Sequence, residues 1–147
     1  MQIINHKFVE FIPEQEDMKD GVIYVSLEYD TAVHNCICGC GEQVVTPISP
    51  TDWKVTYNGE SISLHPSIGN WDFDCKSHYW IKKGEVIWAE NWSEQKIIAG
   101  RKIDQQIKSY FYKQNVGENK ERLFYRLKEF IIRILKRIRQ YFINQKS

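Results

Sequence analysis

The residues able to do chemistry in this chain are mostly its cysteines and histidines, four of each. Cys36, Cys38 and Cys40 fall in the string His34-Asn-Cys-Ile-Cys-Gly-Cys-Gly41, and Cys75 stands 35 residues further on in Asp74-Cys-Lys-Ser-His78. Thiols clustered this closely read as a metal site in a reducing compartment, and a disulfide between i and i+2 would be badly strained. In an extended strand those positions lie about 6.6 Å apart, too far for three sulfurs on one tetrahedral ion with bonds of about 2.3 Å. The chain must therefore fold tightly here, and Gly39 and Gly41 supply the freedom to adopt positive φ. Cys75 and His78, spaced i, i+3, form a second turn facing the same ion. Two ligand sets stay open: Cys36, Cys38, Cys40 and Cys75, or His78 with three of those thiolates. Both are soft and tetrahedral, which favours Zn or an iron-sulfur centre over Mg or Ca. A closed four-ligand zinc site is structural, because catalytic zinc keeps a position for water.

Residues about 3 to 93 must position these groups, and their pattern is mainly β. Ile3 to Ile12 reads as a first strand or arm, Val22 to about Asp30 as a strand rich in β-formers, and Val44 to Thr46 as a short strand bounded by Pro47 and Pro50. Asn58-Gly59 is a tight-turn signal, so Trp53 to Leu64 reads as a hairpin. His65 to Asn70 reads as a loop, Trp71, Phe73 and Cys75 alternate with acidic residues, and Lys83-Gly84 marks a hairpin between Tyr79–Lys82 and Glu85–Trp88. The expected architecture is a small β sandwich or barrel, closed at one end by the two cysteine loops. The four tryptophans Trp71, Trp80, Trp88 and Trp92 pack its core or edges, or form a binding platform.

A helical extension follows, giving two expected domains, 1–93 and 94–147. Ser93 can cap a helix running through Tyr112 and ending before Gly117. Leu123, Leu127, Phe130, Ile134, Ile138 and Tyr141, widened by Phe124, Ile131, Leu135 and Phe142, then follow the 3.6-residue period of a second amphipathic helix. Arg122, Arg126, Lys128, Arg133, Lys136, Arg137 and Arg139 cover the rest of that helix.

Composition sets the outer bounds. The 147 residues are 42% hydrophobic and 27% charged with a formal charge of +1, the profile of an ordinary globular chain. No apolar run approaches the length of about 20 needed to span a bilayer, and the acidic start from Met1 to Asp20 is unlike a secretory signal. The cytoplasm is the expected compartment. Residues 1–117 carry a net −5 and residues 118–147 a net +6. A nucleic-acid binder would place its basic charge on the folded body, so no specific nucleic-acid partner is expected.

Two resemblances attach to these residues. Cys75-x-x-His78-Tyr-Trp-Ile-Lys-Lys-Gly84-Glu-Val86 resembles the second cluster loop of Rieske proteins over about a dozen residues. The first Rieske loop reads Cys-x-His, where this chain has Cys38-x-Cys40, so the two-histidine set of a two-iron centre is one histidine short. The longer resemblance runs from about Phe11 to Ser93. It rests on the His34–Gly41 string, Thr46-Pro-Ile-Ser-Pro-Thr-Asp-Trp53, Ser63-Leu-His-Pro-Ser-Ile-Gly-Asn-Trp71 and Cys75-Lys-Ser-His-Tyr-Trp80. These resemble a bacterial domain family encoded beside ubiquitin-like proteins and E1-like and E2-like enzymes in defence operons.

That resemblance implies a part in ubiquitin-like conjugation, with the modifier and its E1-like and E2-like enzymes as partners. Such a pathway needs a peptidase to mature or remove the modifier, and a serine peptidase needs a hydroxyl beside an imidazole that a carboxylate holds. With all four cysteines on the metal, the uncommitted polar residues are His34, Asp52, His65, Ser67, Ser77 and His78. Ser67 or Ser77 with His34 or His78 would supply the pair. Ser77 and His78, being adjacent, point to opposite faces of a strand, which makes Ser77 with His34 the sharper geometry. The alternatives are turn-capping hydroxyls in a zinc-stapled adaptor that presents the loop Pro66 to Trp71, or Rieske-like electron transfer on a two-iron cluster. The basic tail has two readings: an anionic membrane surface, or packing on the acidic body or a second copy.

Overall fold

A computed structural model describes residues 2–144, with side chains for all of them except 117–122, 132 and 134–144. The strands are β1 (Gln2–Ile3), β2 (Asn5–Phe8), β3 (Val22–Ser26), β4 (Thr31–Asn35), β5 (Gln43–Pro47), β6 (Lys54–Tyr57), β7 (Ile62–Gly69), β8 (His78–Lys82) and β9 (Glu85–Trp88), followed by helix α1 (Glu94–Asn144). One sheet runs β1-β9-β8-β7-β6 and the other β2-β3-β4-β5. Ile23, Val25, Ala32 and Val44 from the second sheet meet Ile62, Leu64, Ile68, Tyr79 and Ile81 from the first in one buried cluster. Each such side chain stabilises the fold by about 1.5–3 kcal/mol through removal from water. The mainly β expectation holds.

The first strand is divided. Gln2 and Ile3 pair with Val86 and Glu85 of one sheet, whereas Asn5 to Phe8 run parallel to Val22–Val25 of the other. Ile4, at the crossing, is buried and donates its amide to Gly84 O. Both expected hairpins form. Asn58 Oδ1 accepts the amides of Glu60 and Ser61 at the β6–β7 turn. Lys83 and Gly84 both take positive φ, 51° and 74°, at the β8–β9 turn, the requirement of a two-residue hairpin turn.

Three elements differ from the sequence reading. Strand β7 continues through His65–Gly69, with a register irregularity between Leu64 and Ile68, so that Ile68 faces Tyr79 and Gly69 faces His78. Pairing with β8 outweighs the turn preference of Pro66 and Gly69, and the irregularity accommodates the missing Pro66 donor. Trp71 to Lys76 forms successive turns rather than a strand, with Phe73 N bonded to Asn70 O and Lys76 N to Phe73 O. Gly117 does not end the helix, since α1 is continuous; one internal glycine costs only about 1 kcal/mol against Ala. The helix starts where Ser93 Oγ accepts the Lys96 amide at 3.4 Å, an N-cap contact.

Contacts divide the chain into units Met1–Gly100 and Arg101–Ser147. Among the described residues no helix is long and apolar enough to cross a membrane. The stripe positions Ile134, Leu135, Ile138, Tyr141 and Phe142, and the basic positions Arg122, Lys136, Arg137 and Arg139, lie outside the residues whose side chains are described.

Candidate active site and metal centre

The tight knuckle expected after β4 forms as the thiol spacing demands. Gly39 and Gly41 take φ of 82° and 84°, Gly39 N bonds Cys36 O, and Cys36 N bonds Glu42 O. The loop thus curls its three thiols toward Cys75, which the turns before β8 bring in from the other sheet. The four sulfurs lie within 4.8 Å of one another, at 3.4 Å for Cys36–Cys38, 3.9 Å for Cys36–Cys75 and 3.6 Å for Cys40–Cys75. All four cysteines are free thiols. Tetrahedral bonds of about 2.3 Å put sulfurs about 3.8 Å apart, so the cluster has the size of a single-ion site.

His78 is not part of that cluster. Its Nε2 lies 3.0 Å from Ser67 Oγ, and its Nδ1 lies 3.1 Å from the main-chain oxygen of Glu90. The three-cysteine-plus-histidine set therefore does not assemble: both ring nitrogens are engaged away from the sulfurs. A carbonyl oxygen only accepts, so Nδ1 carries the hydrogen. In the neutral ring Nε2 then offers its lone pair to the Ser67 hydroxyl. The orienting group is a main-chain carbonyl in the place where a carboxylate was expected. Three indoles surround the ring, with centroids at 4.9 Å for Trp71, 5.3 Å for Trp92 and 5.6 Å for Trp80, and Trp71 stacks on Trp92 at 5.5 Å. His78 is 3% exposed and Ser67 is half-buried, so the pair sits in a shielded pocket edge with the hydroxyl reachable.

Ser77 and His34 occupy different surroundings. Ser77 Oγ accepts from Asn70 Nδ2 at 2.8 Å and lies 3.2 Å from Cys36 Sγ and 3.5 Å from Cys75 Sγ. With its lone pair taken by Asn70, its own hydrogen is directed at sulfur. His34 Nε2 meets the Tyr79 hydroxyl at 2.9 Å, and its Nδ1 is buried without a partner. The structure therefore does not bring Ser77 to His34, because β4 turns the imidazole toward Tyr79. Burial lowers His34 to about 4 and pushes the Tyr79 phenol up, the latter against a hydrogen bond from Asn70. Burial also pushes the Cys36 thiol up. At Cys75 burial acts to raise the thiol, but hydrogen bonds from the Ser77 hydroxyl and amide and from Cys38 and Cys40 outweigh it and bring it down to about 7. Asp52 accepts from Ser49 Oγ at 2.6 Å, and His65 is exposed on β7 opposite Lys54.

A family model described as bacterial ubiquitination-like system serine protease (BubE) matches residues 8–89, more than half of the chain. The chain belongs to the BubE family. The match takes in the knuckle, Cys75, Ser67 and His78, and stops one residue before Glu90, whose carbonyl orients the imidazole. No curated protein and no solved structure matches the chain. Sequence reasoning missed Glu90 and Asn70 as parts of the site. A main-chain carbonyl leaves no trace in residue type, and an asparagine in a Pro/Gly/Asn stretch reads as a turn former. It also drew His78 toward the metal, because Cys-x-x-His spacing suits a ligand as well as a base.

Proposed function

We propose that this chain is a serine peptidase that matures or removes the ubiquitin-like modifier of its system, with Ser67 as nucleophile and His78 as general base. The observation that carries the reading is the Ser67 Oγ–His78 Nε2 contact at 3.0 Å combined with Nδ1 anchored on Glu90 O. Ser67 Oγ attacks the scissile carbonyl carbon as its proton passes to Nε2. The imidazolium then returns that proton to the leaving amine as the C–N bond breaks. Water, deprotonated by the same nitrogen, hydrolyses the acyl-serine ester and regenerates the pair. Glu90 O fixes the tautomer throughout, and the surrounding indoles keep bulk water from the ring.

The four cysteines hold a zinc ion in this reading, supported by sulfur separations close to those of a tetrahedral thiolate site. Four thiolates close the coordination shell, so the zinc staples loops and takes no part in the bond-breaking steps. A Rieske centre divides two cysteines and two histidines between two irons, and the donor set here fits it poorly.

The test is cleavage of a modifier precursor carrying a peptide after its mature C-terminus, together with labelling by a fluorophosphonate probe. Ser67→Ala and His78→Ala are expected to lower kcat/KM by about 10⁴-fold or more, with the probe attached to Ser67 by peptide mass spectrometry. Full cleavage by Ser67→Ala, or no cleavage by the folded, zinc-loaded wild type, would move the protein to the adaptor class.

A further inference from the structure

The helix beyond the matched region is a second functional surface, independent of the peptidase reading. Leu123, Phe124, Leu127, Phe130 and Ile131 of α1 are each between 51% and 73% exposed. At 100° per residue these positions fall within an arc of about 120°, and the sequence keeps the same period to Phe142. Two aromatics and three branched aliphatics left in water along one arc would be costly, so this face calls for an occupant.

The charges beside it select which. Lys128 follows one edge of the arc and Arg126 the other, and both are exposed, as is Arg133 on the opposite side. Residues 123–142 contain six Lys or Arg and one acidic residue, Glu129. A second copy of the helix would set cationic flanks against cationic flanks, where a coiled-coil seam needs opposite charges at those positions, and the arc is wider than a two-residue heptad seam. With six cations in 20 residues the segment is also unsuited to crossing a bilayer. A bulky apolar face bordered by Lys and Arg on both sides is the form that lies in the plane of an anionic lipid surface, with the cationic side chains at the headgroups.

We propose that the C-terminal half of α1 docks this protein on an anionic membrane surface through the Leu123–Ile131 face. The test is co-sedimentation of the full chain with vesicles of phosphatidylcholine alone or of phosphatidylcholine mixed with phosphatidylglycerol, across a salt series. Binding is expected only with phosphatidylglycerol present and is expected to weaken as salt rises. Arg126→Gln with Lys128→Gln, which keeps good helix formers at exposed positions, should weaken partitioning about thirtyfold. Leu127→Glu with Phe130→Glu should abolish it, and far-UV circular dichroism of the charge variant checks that the helix is retained. No binding to phosphatidylglycerol vesicles at low salt, equal binding to pure phosphatidylcholine, or binding unchanged in both double variants overturns the proposal. So does a dimer in sedimentation equilibrium that Leu127→Glu with Phe130→Glu dissociates while vesicle binding is absent, which would assign the face to a second copy.

Discussion

Ser67 and Ser77 lie either side of the same turn region, and what each hydroxyl touches separates their chemistry. Ser67 Oγ faces an imidazole nitrogen whose lone pair is free for its proton. Ser77 Oγ is occupied by Asn70 on its acceptor side and points its hydrogen at Cys36 and Cys75 sulfur. A hydroxyl donating to a metal-bound thiolate orients that ligand, and losing such an outer contact typically weakens metal binding 10–100-fold. Ser77→Ala is therefore expected to release zinc to a competing chelator with affinity lowered about 10–100-fold, while still acylating at saturating zinc. Ser67→Ala should show the converse, full metal affinity and no acylation. If Ser77→Ala at full zinc occupancy loses the fluorophosphonate label and Ser67→Ala keeps it, the nucleophile is Ser77 and the assignment is reversed.

Strand β7 brings the serine to the histidine. Its register irregularity between Leu64 and Ile68 realigns the strand so that Gly69 pairs with His78, two residues from Ser67. A Cβ on Gly69 would lie 2.5 Å from the Trp71 indole, the ring that stacks on Trp92 and contacts His78. Gly69→Ala is accordingly expected to destabilise the domain by about 1–3 kcal/mol through overpacking. In a Trp71→Leu background the same substitution should cost much less, which a double-mutant cycle of denaturation midpoints measures. An equal cost in both backgrounds would show that the indole is not what excludes the methyl. The hairpins at Asn58-Gly59 and Lys83-Gly84 were legible in the sequence because turn chemistry is local. The division of the first strand between two sheets, and the extension of β7 through His65 and Pro66, were not. Both depend on partners some 12 to 80 residues away in the chain, against local residues that favour turns.

At the scale of the molecule, the cysteine cluster joins what the two sheets hold apart: its knuckle leaves β4 in one sheet, and Cys75 precedes β8 in the other. Thiol type and clustering made the ligand set nearly readable from sequence. The choice between Cys and His78 was not readable, because only the folded positions of Ser67 and the Glu90 carbonyl take the imidazole away. The apolar cluster already spans both sheets without the metal, so the ion is expected to add stability to an existing fold rather than to create it. An ion present at a thousandfold excess over its Kd contributes about 4 kcal/mol if it binds only the folded state. For a β domain of roughly 100 residues that corresponds to a shift of about 20 °C in Tm. Stripping with a strong chelator should lower Tm by about that amount while far-UV circular dichroism at low temperature keeps its β signal, and one equivalent of zinc should restore Tm. A Tm that does not move on chelation, in protein shown by mass spectrometry to have carried one zinc, would mean that the ion clamps only the cysteine loops. An unfolded chain on chelation would mean instead that the two sheets cannot hold together without it.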